Sequence, residues 1–362
     1  MFNSEELELL SYARELDKEY YTLLTSPNTK IKNKHYKLLK KYDLDIASVQ
    51  GWRSTHEDSY IHEINGNNIL LAVFDGHGGD WVANYCASHY SNILFNTDEY
   101  KNEDYEKAFI IANRLMDENI YNENREKMYN YCKSDISKKL FKHYHRSAQM
   151  YRTKFHHSDE CGCTCCAVLI TSDKIITSNI GDSKAILIRG RHVYSLSEEH
   201  KVTLSYEETR ILNTIYTIKD DRINGVLNLS RGFGDFNYKD MENYDEKLMG
   251  IISTPEIKVV GRLPGYDQIV IGCDGLWDCY GELDVRNYFE VSKEYLDSNS
   301  YELNCIVSMF NNKWLKNIKI ELKDESEIVK KLVESCIAGE EDLIDEYNYN
   351  GFDNITVMVI KV

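Results

Sequence analysis

Proline is scarce in this chain, three residues in 362, so no proline-rich linker divides it. Long apolar runs are missing as well, and no stretch approaches the roughly 18 to 20 uninterrupted apolar residues of a membrane-spanning helix. The first residues, MFNSEELELL, lack the basic-then-apolar pattern of a signal peptide, and Phe2 at the second position excludes N-myristoylation. A cytosolic or nuclear location without membrane association is therefore expected. Ten cysteines are present, but no framework spacing orders them, so reduced thiols are expected. Positive charge is also in deficit. Forty-three basic residues against 59 acidic ones give a net charge of -16, which repels polyanions and argues against nucleic acid as a partner. An acidic protein can still process a phosphorylated substrate where bound divalent cations invert the local potential.

The 42% hydrophobic content is enough for a large core. Residues 4 to 24 carry Leu7, Leu10, Leu16, Leu23 and Leu24 at loosely helical spacing, followed by the loop signal SPNT and the run KHYKLLKKY. The spacing predicts a helical extension over 1–44. From Asp45 the pattern changes to short β-rich runs such as ILLAVFD, KIITSNI, AILIRG, QIVIGCD and NITVMVIKV, bounded by Gly, Asn and Asp. Segments 80–95, 99–122, 282–290 and 299–338 read as helices inserted among them. That arrangement predicts a single α+β layered domain over 45–362. Within it, residues 123–160 form a basic and aromatic island, with Lys138, Lys139, Lys142 and Arg146 beside Phe141 and Tyr144. A solvated helix face is the favoured reading of that island, ahead of a docking patch for an acidic or phosphorylated partner.

Short acidic motifs recur in order: RSTHED at 53–58, DGHGG at 75–79, GCT at 162–164, GDS at 181–183, SRGFGD at 230–235, CDGLWD at 273–278 and DN at 353–354. One Asp-Gly pair is ordinarily a turn. The whole series points instead to carboxylates gathered at strand ends. Glu57, Asp75, Asp274 and Asp353 are all oxygen ligands, which select Mg2+ or Mn2+ over zinc. Two such ions about 3.5 to 4 Å apart can activate a water and hold a phosphoryl oxygen. Arg53 offers a planar fork to a phosphate, and His77, two residues past Asp75, titrates near neutrality and can donate a proton. Taken singly, Arg53 reads as a surface salt-bridge partner and His77 as a structural histidine. Trp52 and Trp277 read as core packing. Asp235 reads equally as a turn or cap residue and as a support of the site.

The chain resembles the metal-dependent protein phosphatases, the type 2C serine/threonine phosphatases, over roughly 45–362. GWRSTHED and VFDGHGG are similar to the first two family motifs, and NIGDSKAIL, NGVLNLSRGFGDFNYK, IGCDGLWD and FDNITVMVI follow in family order. The resemblance implies a central β-sandwich of two antiparallel sheets flanked by helices. It implies that Asp75 bridges two ions, with Glu57 and the Gly76 carbonyl serving one ion and Asp274 and Asp353 the other. Asp182 and Asp278 would contribute to a third, weaker metal position. It implies Arg53 as the phosphate grip, His77 as general acid, and Asp58, Thr164 and Asn354 among the supporting residues. Phosphorylated proteins are the implied partners, their phosphoserine and phosphothreonine esters cleaved by in-line attack of a metal-bridging water, and a monomer is expected.

Two departures stand out. CGCTCC replaces the family's usual SGSTA, and buried reduced cysteine is preferred there over a structural zinc site with His156 and His157. The family's DHKP is replaced by Glu199, His200, Lys201 and Val202, ahead of a segment lacking the expected paired glycines. Two rivals compete with the phosphatase reading. A catalytically silent binding module would ordinarily lose metal carboxylates, and a two-metal nuclease would conflict with the strong acidity.

Overall fold

Residues 23–132, 161–241, 243–298, 322, 325–338 and 351–362 are described in the computed structural model. Their contacts divide the chain into two units, one built from Leu23–Asp75, Cys165–Glu199 and Glu256–Val362, the other from Gly76–Thr164 and His200–Pro255. The span 45–362, expected as one domain, is thus shared between two units, and residues 23–44 join the first of them.

In the first unit the strand Tyr42–Val49 turns Leu44 and Ile46 to one face and Ala47 and Val49 to the other, the period of two that a strand imposes. It belongs to a six-stranded sheet with the spatial order His192–Ser195, Lys184–Arg189, Asp267–Gly272, Ile355–Lys361, Tyr42–Val49, Lys32–Leu38, antiparallel throughout. A five-stranded antiparallel sheet runs Glu256–Gly261, Lys174–Ile180, Cys165–Ile170, Asn68–Phe74, Ser59–Asn65. Ile46, Ile271 and Met358 of the first sheet meet Leu71, Val168 and Ile175 of the second in one buried cluster. The opposite face of the six-stranded sheet is equally apolar. Ile186, Val270 and Val357 pack there beneath the helices Glu282–Ser298 and Ser326–Cys336, through Val285, Tyr288, Val329 and Leu332. Each such side chain stabilises the fold by about 1.5–3 kcal/mol relative to exposure. Burial on both faces explains why QIVIG and ITVMVI are almost wholly apolar. The α+β class and the antiparallel sandwich are as expected.

The second unit holds the helices Trp81–Asn96, Asp98–Lys101 and Tyr105–Cys132 and a three-stranded sheet of order Phe233–Gly234, Gly162–Cys163, Gly76–His77. A 2.6 Å hydrogen bond from Tyr90 Oη to Asn113 Oδ1 ties the two long helices in their buried seam. The helix Ser205–Leu212 and the hairpin Ile218–Lys219/Arg222–Ile223 close over Val202, Ile211, Ile223 and Ile251.

The helical extension needs correction. Residues 1–22 lie outside the described residues, but Leu23–Asn28 and Lys32–Leu38 are strands. Lys32–Leu38 pairs with Tyr42–Val49 at the edge of the six-stranded sheet, with Tyr36 opposite Leu44. Lysine on an edge strand discourages pairing with another chain, and that same polarity mimics a wet helix face in sequence. In the basic island, residues 123–132 continue the helix Tyr105–Cys132, and 133–160, with Lys138 and His156, lie outside the described residues.

Candidate metal centre and active site

The antiparallel register of the sandwich gathers the acids at one end of its strands. Asn68–Phe74 and Lys174–Ile180 both flank Cys165–Ile170, so they run the same way and deliver Asp75 and Asp182 together. In the other sheet, Asp267–Gly272 ends beside the start of Ile355–Lys361, which delivers Asp274 and Asp353. Carboxylate oxygens of Asp75, Asp182 and Asp274 lie within 4.8 Å of one another. Asp58, Asp75 and the Cys273 thiol make a second group of the same span. Asp274 opens the short helix Asp274–Trp277, and its neighbour must be glycine. A Cβ on Gly275 would strike the Asn354 carbonyl and stand 3.0 Å from Ile355 Cγ1, so the missing side chain lets 273–275 lie against 353–355.

This much acid in one place cannot ionise freely. Burial and then the charges of Asp274, Asp58, Asp353 and Asp182 hold the Asp75 carboxyl well above the usual carboxylate range. Asp274 is raised in the same way, by burial first and then by Asp353, Asp182, Asp278 and Asp58. Burial is also the main reason Asp58 is pushed up to about 7. Asp58 Oδ1 is buried without a hydrogen-bond partner. Mutually repelling carboxylates with one orphaned oxygen, Asp58 Oδ1, fit a hard divalent cation, which would restore their ionisation.

The remaining expected residues fall at graded distance from this cluster. Asp278 lies one turn past Asp274, its N–H donating to the Asp274 carbonyl at 2.7 Å. Asp353 Oδ2 accepts from Arg53 Nη2 at 2.5 Å. Burial disfavours the Arg53 charge, but Asp353, Asp274 and Asp75 outweigh it and raise its pKa. Glu57 belongs to neither three-ligand group; one of its carboxylate oxygens accepts from Thr55 Oγ1 at 2.8 Å. Asn354 stitches the strands together, donating to the carbonyls of Gln50 and Thr55 and accepting from the Glu57 N–H. Trp52 is fully buried against Phe352 with its N–H on the Ala338 carbonyl, and Trp277 donates to the Gly272 carbonyl, so both are core residues.

The second unit carries the histidine. Gly76–His77 pairs with Gly162–Cys163, and His77 Nε2 lies 2.8 Å from Oδ2 of the buried Asp235. Gly162 lies across this pair, since a Cβ there would press on Asp235 Oδ2 and stand 2.6 Å from His77 Nε2. The GFGD motif held this partner, but sequence alone left Asp235 balanced between turn and site. Thr164 is buried immediately after that strand. Cys161, Cys163, Cys165 and Cys166 are all buried thiols in no disulfide, and among the described residues they join no three-ligand metal group. Ser230 and Arg231 bond within the His200–Pro255 segment, to the His200 carbonyl and to Glu207.

A family model described as protein phosphatase 2C matches residues 42–287. A probable protein phosphatase 2C of Arabidopsis thaliana is 27% identical over 89% of this chain and 87% of its own length. One from Oryza sativa subsp. japonica is 31% identical over 68% of this chain and 74% of its own length. Among solved structures, a phosphatase from Toxoplasma gondii superposes with a TM-score of 0.60 at 20% identity, covering 91% of this chain and 94% of that one. No helix among the described residues is long and apolar enough to cross a membrane.

Proposed function

The chain belongs to the protein phosphatase 2C family of metal-dependent serine/threonine phosphatases, and from that premise we propose which of its residues carry the hydrolysis of phosphoserine and phosphothreonine in proteins. The observation that supports the reading is the convergence of Asp75, Asp182 and Asp274 within 4.8 Å, with Asp58 and Asp353 close enough to raise their pKa values. Asp75, Asp274 and Asp353 would hold one magnesium or manganese ion. Asp75, Glu57 and the Gly76 carbonyl would hold a second, and Asp182 and Asp278 a third. Ions bound there supply an acidified water and neutralise charge on the phosphoryl group.

The chain's own groups do the rest. Asp58, one residue before the Ser59–Asn65 strand, brings a carboxylate oxygen within 4.8 Å of Asp75 and of the Cys273 thiol and extends the acidic wall. Arg53 keeps fork hydrogens beyond the one bonded to Asp353 and presents them to the substrate phosphate. Asn354 fixes the 50–57 segment that carries Arg53 and Glu57. His77 donates a proton to the leaving seryl or threonyl oxygen. Asp235 accepts from His77 Nε2 in the resting protein and restrains the imidazole, which narrows the rotamers from which that proton is given.

The test is turnover of a phosphothreonine peptide with and without added divalent ion, run beside Asp274→Asn. Activity that needs Mg2+ or Mn2+ and is lost in the variant supports the assignment. Turnover that persists in chelator refutes it.

A further inference from the structure

Asp117 and Lys239 form an ion pair in which both side chains are 1% exposed, at 2.7 Å. Buried pairs contribute weakly to stability, because desolvating two charges offsets most of their attraction. Their better-attested use is to fix one local arrangement, and the hydrogen bonds here show which. Asp117 Oδ1 accepts from the Gly234 N–H at 3.0 Å, while Lys239 Nζ donates to the Gly232 carbonyl at 2.8 Å. The pair therefore grips the backbone on both sides of Phe233, immediately before Asp235. Gly234 has φ +75° and Asp235 has φ 53° and ψ 42°, a left-handed conformation that glycine and aspartate tolerate better than most residues and that sets the direction of this turn. The Asp235 N–H is held in turn by the Cys161 carbonyl at 3.1 Å. The result of this turn is that the Asp235 carboxylate meets His77.

We infer that Asp117 and Lys239 are positioning residues for the dephosphorylation reaction: they hold the Gly232–Asp235 turn so that Asp235 orients His77. The inference rests on the reading of His77 as general acid. Asp117 reaches the turn from the middle of the helix Tyr105–Cys132, so this second unit's longest helix sets the geometry of the imidazole.

The experiment uses the full chain carrying Asp117→Leu with Lys239→Met, which removes both buried charges at similar volume. Asp117→Asn is the milder second variant, keeping an acceptor for the Gly234 N–H while removing the charge that holds Lys239. Two readouts are needed: the His77 imidazole 15N resonances, and kcat on a phosphothreonine peptide against kcat on p-nitrophenyl phosphate, whose leaving group needs no proton. The expected result is a His77 signal shifted to where Asp235→Asn puts it. Alongside it, kcat should fall about tenfold or more on the peptide and change by less than about threefold on the aryl ester. In a His77→Ala background the brace variants should cost nothing further on the peptide. Unmoved His77 resonances in both variants overturn the proposal whatever the kinetics. Moved resonances with equal loss on the two esters uphold the positioning role and remove the general-acid reading instead.

Discussion

Arg53 Nη2 donates to Asp353 Oδ2 at 2.5 Å across 300 residues of sequence, so the guanidinium proposed to meet phosphate is anchored to a carboxylate that itself raises the pKa of Asp75 and Asp274. Arg53→Lys keeps the charge but loses the planar fork, and one ammonium cannot serve Asp353 and a phosphoryl oxygen in the same geometry. A lost charged hydrogen bond is worth about 1.5–3 kcal/mol, so kcat/KM for p-nitrophenyl phosphate is expected to fall about tenfold to a hundredfold. Steady-state kinetics at saturating Mn2+ check this, and an unchanged kcat/KM would show that the fork does not touch substrate.

Asp75→Asn separates stability from function. Asp75 is crowded by Asp274, Asp58, Asp353 and Asp182, and removing its charge relieves that repulsion. In chelator the variant is expected to melt at or above the wild-type temperature, gaining about 0.5–2 kcal/mol, while divalent-dependent turnover is abolished. Differential scanning calorimetry paired with an activity assay decides it. A markedly lower melting temperature would mean that Asp75 is held by favourable contacts that outweigh the crowding.

The same crowding sets a pH dependence. Asp58 is pushed up to about 7, chiefly by burial. In chelator the folded state therefore binds more protons than the unfolded chain between the ordinary carboxylate range, near pH 4, and about pH 7. Stability from this group is full below that window and declines as pH rises through it. Divalent ion needs the ionised form, so the rise in melting temperature on adding Mn2+ is expected to be larger at pH 7.5 than at pH 5. Thermal melts at the two pH values test the sign, and a larger metal effect at the acid end would contradict the assignment of this cluster as the metal centre.

Gly275→Ala places a methyl against the Asn354 carbonyl and Ile355. Backbone must give way, at a cost of about 1–3 kcal/mol. Because Asp274 and Asp353 sit on the two segments forced apart, the Mn2+ concentration for half-maximal activity is expected to rise along with the loss of stability. Urea denaturation and a metal titration read the two effects separately; wild-type metal dependence in a destabilised variant would show that the close approach serves packing alone.

The acids of the centre were legible because each stands beside a glycine, asparagine or strand end, and an antiparallel sandwich can deliver such ends to one edge. Asp75, Asp182 and Asp274 are of this kind. Asp58 carries no such mark, since nothing local distinguishes it from Glu57 one residue earlier, and only burial leaves its Oδ1 without a partner. Asp235 stayed ambiguous because a turn aspartate and a histidine partner look alike until the fold sets His77 beside it. The Asp117–Lys239 pair left no sequence signal, its members being 122 residues apart in a helix and a loop. The strand Lys32–Leu38 misled for a simpler reason: lysines that shield a sheet edge and lysines on a wet helix have the same spacing within seven residues.

The pairing of Tyr42–Val49 with Ile355–Lys361, reinforced by the Thr356 to Ser48 hydrogen bond across 308 residues, makes the acidic cluster depend on a long-range closure of the chain. Without that closure Asp353 would not reach Arg53, and the side chain of Asn354 would not reach the Gln50 and Thr55 carbonyls or the Glu57 N–H.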